Sequence, residues 1–405
     1  MPLLDTLTVA AITEGIAGGY CAKLLGDAGA RVTLVEPPDR HGGRSPLRDW
    51  SASGARPNGE DGALFRFLHA GHDVTSDVGA ASGADIVVTD VRGLLPEARP
   101  GQVVVTITPF GVDGPWADRP ATEFTLQAWC GSIGSRGTPD RPPVAAGGRI
   151  GLWVGGTYGA MAALAAARTV HGTSEREHVD VSLLECMTVT MVAYPYLFGS
   201  FTGWPAPRAP ARSIEIPSIE PTADGWVGFC AITAQQFQDF LVLIERPDLI
   251  GDAEIASALG RAKRMDEFLP IIAEWTTKHT TADVIERASL LRIPIVPIGN
   301  GENVTQFEHF RERGVFVRDG DGGVLHPRVP YRLHRTGEHR RSPAAPADAP
   351  AGGPLPLSGV RVVDFTAFWA GPAATHAMAA LGADVVKIES IQRPDLMRYT
   401  TVQPP

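Results

Sequence analysis

Short apolar runs alternate with helical patterns from the start of the chain. LTVAAI, RVTLVE, ADIVVTD and GQVVVTITPFG are rich in β-branched residues on both faces and read as strands, and GGYCAKLLGDAG reads as a helix between the first two. Buried strands separated by helices predict an α/β domain, a Rossmann-like parallel sheet covered on both faces. A long helix is expected from Gly156 to Thr169, and another begins near VDVSLLECM. Beyond a Pro-rich passage from Trp204 to Pro221 the pattern changes to one strand, GWVGFCAI. The amphipathic stretches QQFQDFLVLI, DEFLPIIAEWTTK and TADVIERASLL follow it and predict a smaller α+β domain. The expected division is a large domain over 1–221, a small domain over 222–300 and a return segment over 301–337. A Pro/Ala-rich linker over 338–356 and a fresh strand–helix–strand opening over 357–405 complete it.

That last opening repeats the first. Thr13 to Glu36 and Thr366 to Glu389 align without a gap at a constant spacing of 353 residues. Thr13/Thr366, Ala17/Ala370, Gly18/Gly371, Gly29/Gly382, Ala30/Ala383, Val32/Val385 and Glu36/Glu389 coincide. Two unrelated strand–turn–helix–strand units share such a pattern in part; the ungapped register, the Ala-Gly pair and the terminal Glu favour duplication.

Composition narrows the functional classes. The 405 residues are 44% hydrophobic and 20% charged, enough for one large or two ordinary cores. The net charge of −9 is spread along the chain with no basic run, which argues against nucleic acid. Cys21, Cys130, Cys186 and Cys230 are too scattered for a disulfide framework or a zinc site, and the N-terminus lacks the basic region of a signal peptide. A cytoplasmic protein is the expectation. The uncharged stretch between Arg149 and Arg168 reaches membrane-span length, but its glycines and alanines favour a close-packed helix inside a soluble core.

LSGVRVVDFTAFWAGPAATHAMAALGADVVKIES with RPDLMR is very similar to the opening of family III (CaiB/BaiF) coenzyme A transferases. The first unit matches more loosely. The resemblance continues through ADIVVTDVR, ITPFGVDGPWADRPATEFTLQAWCGSIG and VDVSLLE, and covers most of residues 5 to 335. It implies an interlocked dimer, or pairing with a second copy in the same polypeptide, with CoA held between a large and a small domain. It also implies transfer of CoA from an acyl thioester to a carboxylic acid. Acyl-CoA is thus a substrate, and no covalently bound cofactor, metal or membrane is expected. The family nucleophile is an aspartate at the start of the long helix, whose carboxylate attacks the thioester to form a mixed anhydride and then an enzyme thioester. Here that position falls on Gly151 or Leu152, and no Asp or Glu lies between Asp140 and Glu175. The complete copy is therefore expected to be inactive, with the nucleophile in a second copy.

For CoA itself the candidate contacts are Arg44 and Arg48 after the Glu36 strand, and Asp90, Arg92 and Arg99 around the end of ADIVVTD. His69 and His72, which stand where relatives carry an N-x-x-K, are candidate contacts too, though poorer phosphate partners than a lysine; an HxxH metal pair is a weak signal beside simple surface histidines. Glu123 is either an active-site polar group or a helix N-terminal acid. Trp369 and Arg398 are the candidates in the second opening. A non-catalytic CoA-binding or scaffolding protein is the alternative function. An α-methylacyl-CoA racemase fits less well, because Thr122 replaces its histidine and the AGHDV run at Ala70 lies too far upstream. An NAD-dependent oxidoreductase fits least, because GIAGG lacks the G-x-G-x-x-G spacing.

Overall fold

The structure is a computed structural model that describes residues 4–51, 61–94, 96–138, 140–170, 173–191, 216–231, 234–256, 258–318, 323–332, 355–392 and 394–395. Two compact units emerge. The first comprises Met1–Ile133, Ala145–Ala206 and Val317–Pro405, and the second Gly134–Val144 and Pro207–Phe316. The expected small domain thus lies inside the second unit, joined by an excursion of the chain before the long helix.

In the first unit β1 (Thr8–Ile12), α1 (Ile16–Asp27), β2 (Arg31–Val35), α2 (Ala63–Leu68), β3 (Asp73–Thr75), α3 (Ala80–Gly83), β4 (Ile86–Thr89) and β5 (Val103–Thr108) follow in order. Then come α4 (Glu123–Trp129), α5 (Ile150–Val170), β6 (Glu177–Ser182) and α6 (Leu183–Met191). Six strands form one parallel sheet in the order β3-β2-β1-β4-β5-β6, the doubly wound arrangement. Its residues alternate between two cores. Val9, Ala11, Leu34, Ile86 and Val105 pack under α1 and α5, while Ala10, Ile12, Val35, Val87 and Val104 face the other side.

Among the described residues α5 alone is long and apolar enough to cross a membrane, and half of its apolar window is buried in the protein core. Small residues allow this burial. A Cβ on Gly156 would stand 2.6 Å from the Ala17 carbonyl oxygen, so α1 and α5 touch almost backbone to backbone.

The second unit is built on an antiparallel sheet of β7 (Ile219–Pro221), β8 (Trp226–Phe229) and β9 (Ile295–Pro297). Helices α7 (Ala234–Leu243), α8 (Ala258–Lys263), α9 (Met265–Thr276) and α10 (Thr281–Leu290) accompany it. Phe229, Phe237, Phe240, Phe268, Ile272 and Val284 fill its core. Helix α11 (Glu308–Glu312) and the two-stranded ribbon of β10 (Phe316–Arg318) and β11 (Leu325–Pro327) complete the return.

The C-terminal opening forms β12 (Arg361–Asp364), α12 (Ala370–Ala380) and β13 (Asp384–Lys387), with β12 and β13 parallel in a separate two-stranded sheet. Its geometry repeats that of β1–α1–β2 bond for bond. Thr8 pairs with Arg31 and Arg361 with Asp384. Leu4 N to Ala28 O (3.2 Å) is matched by Leu357 N to Leu381 O (2.8 Å), and Ala30 N to Leu25 O (3.1 Å) by Ala383 N to Met378 O (3.0 Å).

Candidate functional site

In a sheet of this strand order the crevice for a ligand opens beyond the carboxyl ends of the strands flanking β1, where the order reverses. A cleft lies there. Ile12, Thr13 and Glu14 from the end of β1 line it with Val35, Glu36 and Pro37 from the end of β2, Val91 beyond β4, and the basic side chains of Arg40, His41 and Arg44. Thr13 is buried, and its hydroxyl has no hydrogen-bond partner. Glu14 accepts from Arg40 Nε at 2.7 Å and stands 3.3 Å from His41 Nε2. Burial pushes the Glu14 carboxyl up, but the Arg40 and His41 hydrogen bonds outweigh it and hold the group below its ordinary value. Arg44 reaches Asp49 (3.4 Å) and Asp61 (3.2 Å) and stays largely exposed. Two arginines and a histidine at one sheet edge suit a polyanionic ligand.

The neighbouring candidates are committed elsewhere. Arg48 spans Glu36 through Nε (2.8 Å) and Nη2 (2.9 Å), bonds Asp61, and lies 4.0 Å over the Phe65 ring. Arg99 donates to the carbonyls of Ser82, Gly83 and Ala84. Arg92 is exposed just beyond β4. Asp90 sits under the start of α1 and accepts from the backbone N–H groups of Glu14 (2.7 Å), Gly15 (3.0 Å) and Gly18 (3.0 Å). Gly18 has to be glycine for this approach, because a Cβ there would come within 2.7 Å of the Asp90 carboxylate. The donors that hold a pyrophosphate in dinucleotide-binding folds are therefore taken by Asp90, and the strand-end acid Glu36 is taken by Arg48 and Ser45. Both features disfavour the NAD reading.

His69 and His72 correct the expectation of surface histidines. His69 is 6% exposed, its ring packs against Phe65, and its Nδ1 lies 3.3 Å from Nδ1 of His72. The C-terminal end of α2 turns them inward against α1, where the Nε2 of His72 lies 3.0 Å from the place a Cβ on Gly26 would take. Burial, and then the charge of its neighbour His72, pushes His69 down to about 3.

The second focus is the start of α5. Thr122 and Thr125 cap α4 reciprocally, so the residue at the racemase-histidine position serves as a helix cap. One turn on, the fully buried Gln127 clamps the backbone of Ala146 on both sides (2.9 and 3.0 Å) and donates to Glu123 Oε1 at 2.6 Å. The same oxygen accepts from Gly151 N at 3.2 Å, which puts the Glu123 carboxylate at the N-terminus of α5. Gly151 itself is closed off. A Cβ there would lie 2.1 Å from Met187 Cε and 2.8 Å from its sulfur, and the adjacent Leu152 packs against the apolar core. Asp140 is 76% exposed beside Arg141. In the C-terminal opening Trp369 stacks on Phe368 (centroids 5.1 Å apart) ahead of α12. Arg398 lies outside the described residues.

Arg40, His41, Thr13 and Gln127 escaped the sequence reading. The first two follow Glu36 in PPDRHGGR, so basic residues just past a strand-end acid carried a usable signal; no pattern marks the other two or Met187.

Comparison with known proteins fits this geometry. The model of CoA-transferase family III matches residues 4–89, 92–349 and 357–405. A succinyl-CoA–D-citramalate CoA-transferase of Chloroflexus aurantiacus is 26% identical over 349 residues, covering 80% of this chain and 85% of the relative. A probable CoA-transferase of Mycobacterium tuberculosis is 25% identical over 432 residues, covering 96% of this chain but 54% of the relative. The crystal structure of a CaiB/BaiF family protein from Brucella suis shares the fold, with a TM-score of 0.66, 23% identity and coverage of 82% of this chain and 93% of that one. The chain belongs to CoA-transferase family III.

Proposed function

We propose that this polypeptide is a CoA-transferase module that binds an acyl-CoA but does not supply the nucleophile, which comes from a second module whose opening is residues 357–405. The overall exchange would move CoA from an acyl thioester to a small carboxylic acid. Relatives named for succinyl-CoA with citramalate, and for acetyl-CoA with oxalate, support that substrate class. In the second module an aspartate would attack the thioester carbonyl and expel the CoA thiolate. The thiolate then attacks the aspartyl carbonyl of the anhydride, releasing the donor acid and leaving an enzyme thioester. The acceptor carboxylate repeats the sequence in reverse and regenerates the aspartate.

The observation that carries this reading is the start of α5, where glycine and leucine replace an ionisable group and Met187 fills the space beside Gly151. Pairing with a second module is supported by the bond-for-bond repeat of β1–α1–β2 and by a relative of which this chain spans about half. The cleft with Arg40, His41 and Arg44 is the favoured seat for the CoA phosphates. A reducing, cytoplasmic location is part of the same proposal, in keeping with the buried thiols of Cys21, Cys130 and Cys186.

A second reading rests on Glu123, whose carboxylate occupies the helix mouth and could itself form the anhydride. One assay separates the two. Exchange between succinyl-CoA or acetyl-CoA and a panel of carboxylic acids is followed for the chain, Glu123→Gln and Leu152→Asp. No turnover by the parent is expected; turnover that Glu123→Gln abolishes transfers the nucleophile's role to Glu123, and turnover that survives it rejects both readings.

A further inference from the structure

Each cation that lines the cleft beyond β1 and β2 already faces an acid. Arg40 and His41 share Glu14, and Arg44 reaches Asp49 and Asp61. Glu14 is the unusual member, because a carboxylate inside a basic cleft opposes the anions that the cleft would otherwise attract. Its side chain is 26% exposed, and its backbone N–H is fixed on Asp90 at 2.7 Å. Burial acts to raise the Glu14 carboxyl, yet the bonds from Arg40 and His41 leave it below its ordinary value, so it is ionised at neutral pH. The loop after β2 is shaped to meet it. His41, Gly42 and Gly43 are all left-handed (φ 45°, 69° and 76°), and at His41, which carries a side chain, that conformation is strained. Beside Glu14 the buried Thr13 hydroxyl has no partner among the described residues, a polar atom that a ligand in the cleft would satisfy. The strand–helix–strand repeat does not itself require the acid, since Ala367 stands at the matching place 353 residues on.

We infer that Glu14 is a built-in competitor for the anion seat, which withholds Arg40 and His41 from single carboxylates and releases them only to a phosphate ester. This rests on the proposed seat for the CoA phosphates. A carboxylate that takes Arg40 replaces one acid by another and leaves the part-buried Glu14 charge without its partners. No net attraction remains. A phosphomonoester carries close to two negative charges on three strong acceptor oxygens, enough to hold Arg40 and Arg44 together and to engage the Thr13 hydroxyl. That gain exceeds the loss at Glu14. Selectivity here is a difference of affinities, and Glu14 supplies its repulsive part. In an exchange of CoA among free carboxylic acids, such a filter keeps the acids out of the cleft while the phosphates of the thioester enter.

The test titrates adenosine 3′,5′-bisphosphate, the phosphorylated end of CoA, into the 405-residue protein by isothermal calorimetry at constant ionic strength, with and without sodium acetate. The parent should bind the bisphosphate with an affinity that acetate leaves unchanged. Glu14→Gln and, independently, Glu14→Ala should each tighten binding by about fivefold and make it sensitive to acetate, a response that a merely structural role would not produce. Arg40→Ala should weaken binding by about tenfold or more. Unchanged or weaker binding in both Glu14 variants, with Arg40→Ala still weakening it, overturns the inference and leaves the phosphate seat standing. Acetate competition as strong in the parent as in the variants overturns it as well. If Arg40→Ala leaves the affinity unchanged, the phosphates sit elsewhere, and the seat and the inference fall together.

Discussion

Residues 8–35 and 361–387 adopt one local geometry in two environments. The register is shared, Gly29 and Gly382 both take the left-handed turn (φ 110° and 101°), and the same backbone bonds close both turns. Only the first unit has its faces covered. The contrast separates what neighbours along the chain specify, which is the strand–helix–strand unit, from what distant residues supply, which is burial. A solvent-exposed unit of this size keeps its hydrogen bonds but lacks most of the apolar contribution that holds the covered one.

The comparison breaks most sharply at the helix starts. Asp90 reaches α1 from beyond β4, distant in sequence, and satisfies three backbone donors. Asp395 holds Phe368 N and the Lys387 ammonium (2.9 Å) from the adjacent loop. Asp90→Ala should therefore lower global stability by about 3 kcal/mol in urea denaturation, because it leaves buried donors unmet. Asp395→Ala should leave the main transition in place and speed exchange only within 361–387. Equal losses from the two would mean that the C-terminal unit is integrated in the main core.

Acid should separate the units next. His69 and His72 are held by burial at about 3 and about 4, with the charges of His72, Arg48 and Lys23 as secondary causes for His69 and that of Lys23 for His72. The unfolded imidazoles titrate near the ordinary value, so between these pH values the unfolded chain binds more protons and the native state loses stability as pH falls. The loss is up to about 1.4 kcal/mol per pH unit per histidine, from about pH 6.5 down toward 4. Asp364 behaves oppositely. The Thr366 and Thr375 hydroxyls hold it at about 2, so its contribution is intact above the usual carboxylate range and disappears only as pH falls toward 2. Between about pH 6.5 and 4.5 residues 8–35 should thus loosen while residues 361–387 do not. Intrinsic-rate-corrected exchange of 8–35 that stays constant over this range would refute the assignment, and a His69→Asn/His72→Asn double variant should flatten the profile.

The alternation of apolar runs and small-residue helices was enough to read the parallel sheet, which depends on strand burial; of the antiparallel sheet β7-β8-β9 only the strand at Trp226–Phe229 was expected, because its pairing joins distant segments. The constant spacing between Thr13 and Thr366 marked two stretches of like pattern, and their matching backbone bonds emerge only in the structure. What stayed hidden depends on which distant residues meet. His69 and His72 look like polar residues in a loop, and only the turn after α2 carries them inward. Arg48 and Arg99 look like free cations, yet Glu36 and the carbonyls at the C-terminal end of α3 claim them. Glu123 was legible as a candidate but its place at Gly151 was not, since that meeting depends on the Gln127 clamp on Ala146.

The smallest difference lies at the first residue pair of each unit. Thr8 opens β1 and turns its N–H (2.9 Å) and hydroxyl (2.7 Å) to Asp85, which precedes β4, and Asp85 N donates back to the Thr8 hydroxyl at 3.1 Å. Among the described residues no further strand stands beside β12, and Arg361 instead bonds Asp384 across the pair at 2.7 Å, with both side chains more than half exposed. Exposed ion pairs contribute little because water and salt screen them and two long side chains lose freedom. Arg361→Ala should therefore move the thermal midpoint by no more than about 1 °C, with the difference gone in high salt. Thr8→Val should cost about 1 kcal/mol and resist salt, since it removes the hydroxyl's hydrogen bond to a part-buried carboxylate that keeps the Thr8 N–H. A salt-independent loss at Arg361 as large as that at Thr8 would show that the C-terminal pair is shielded from solvent, and that the two units are covered alike.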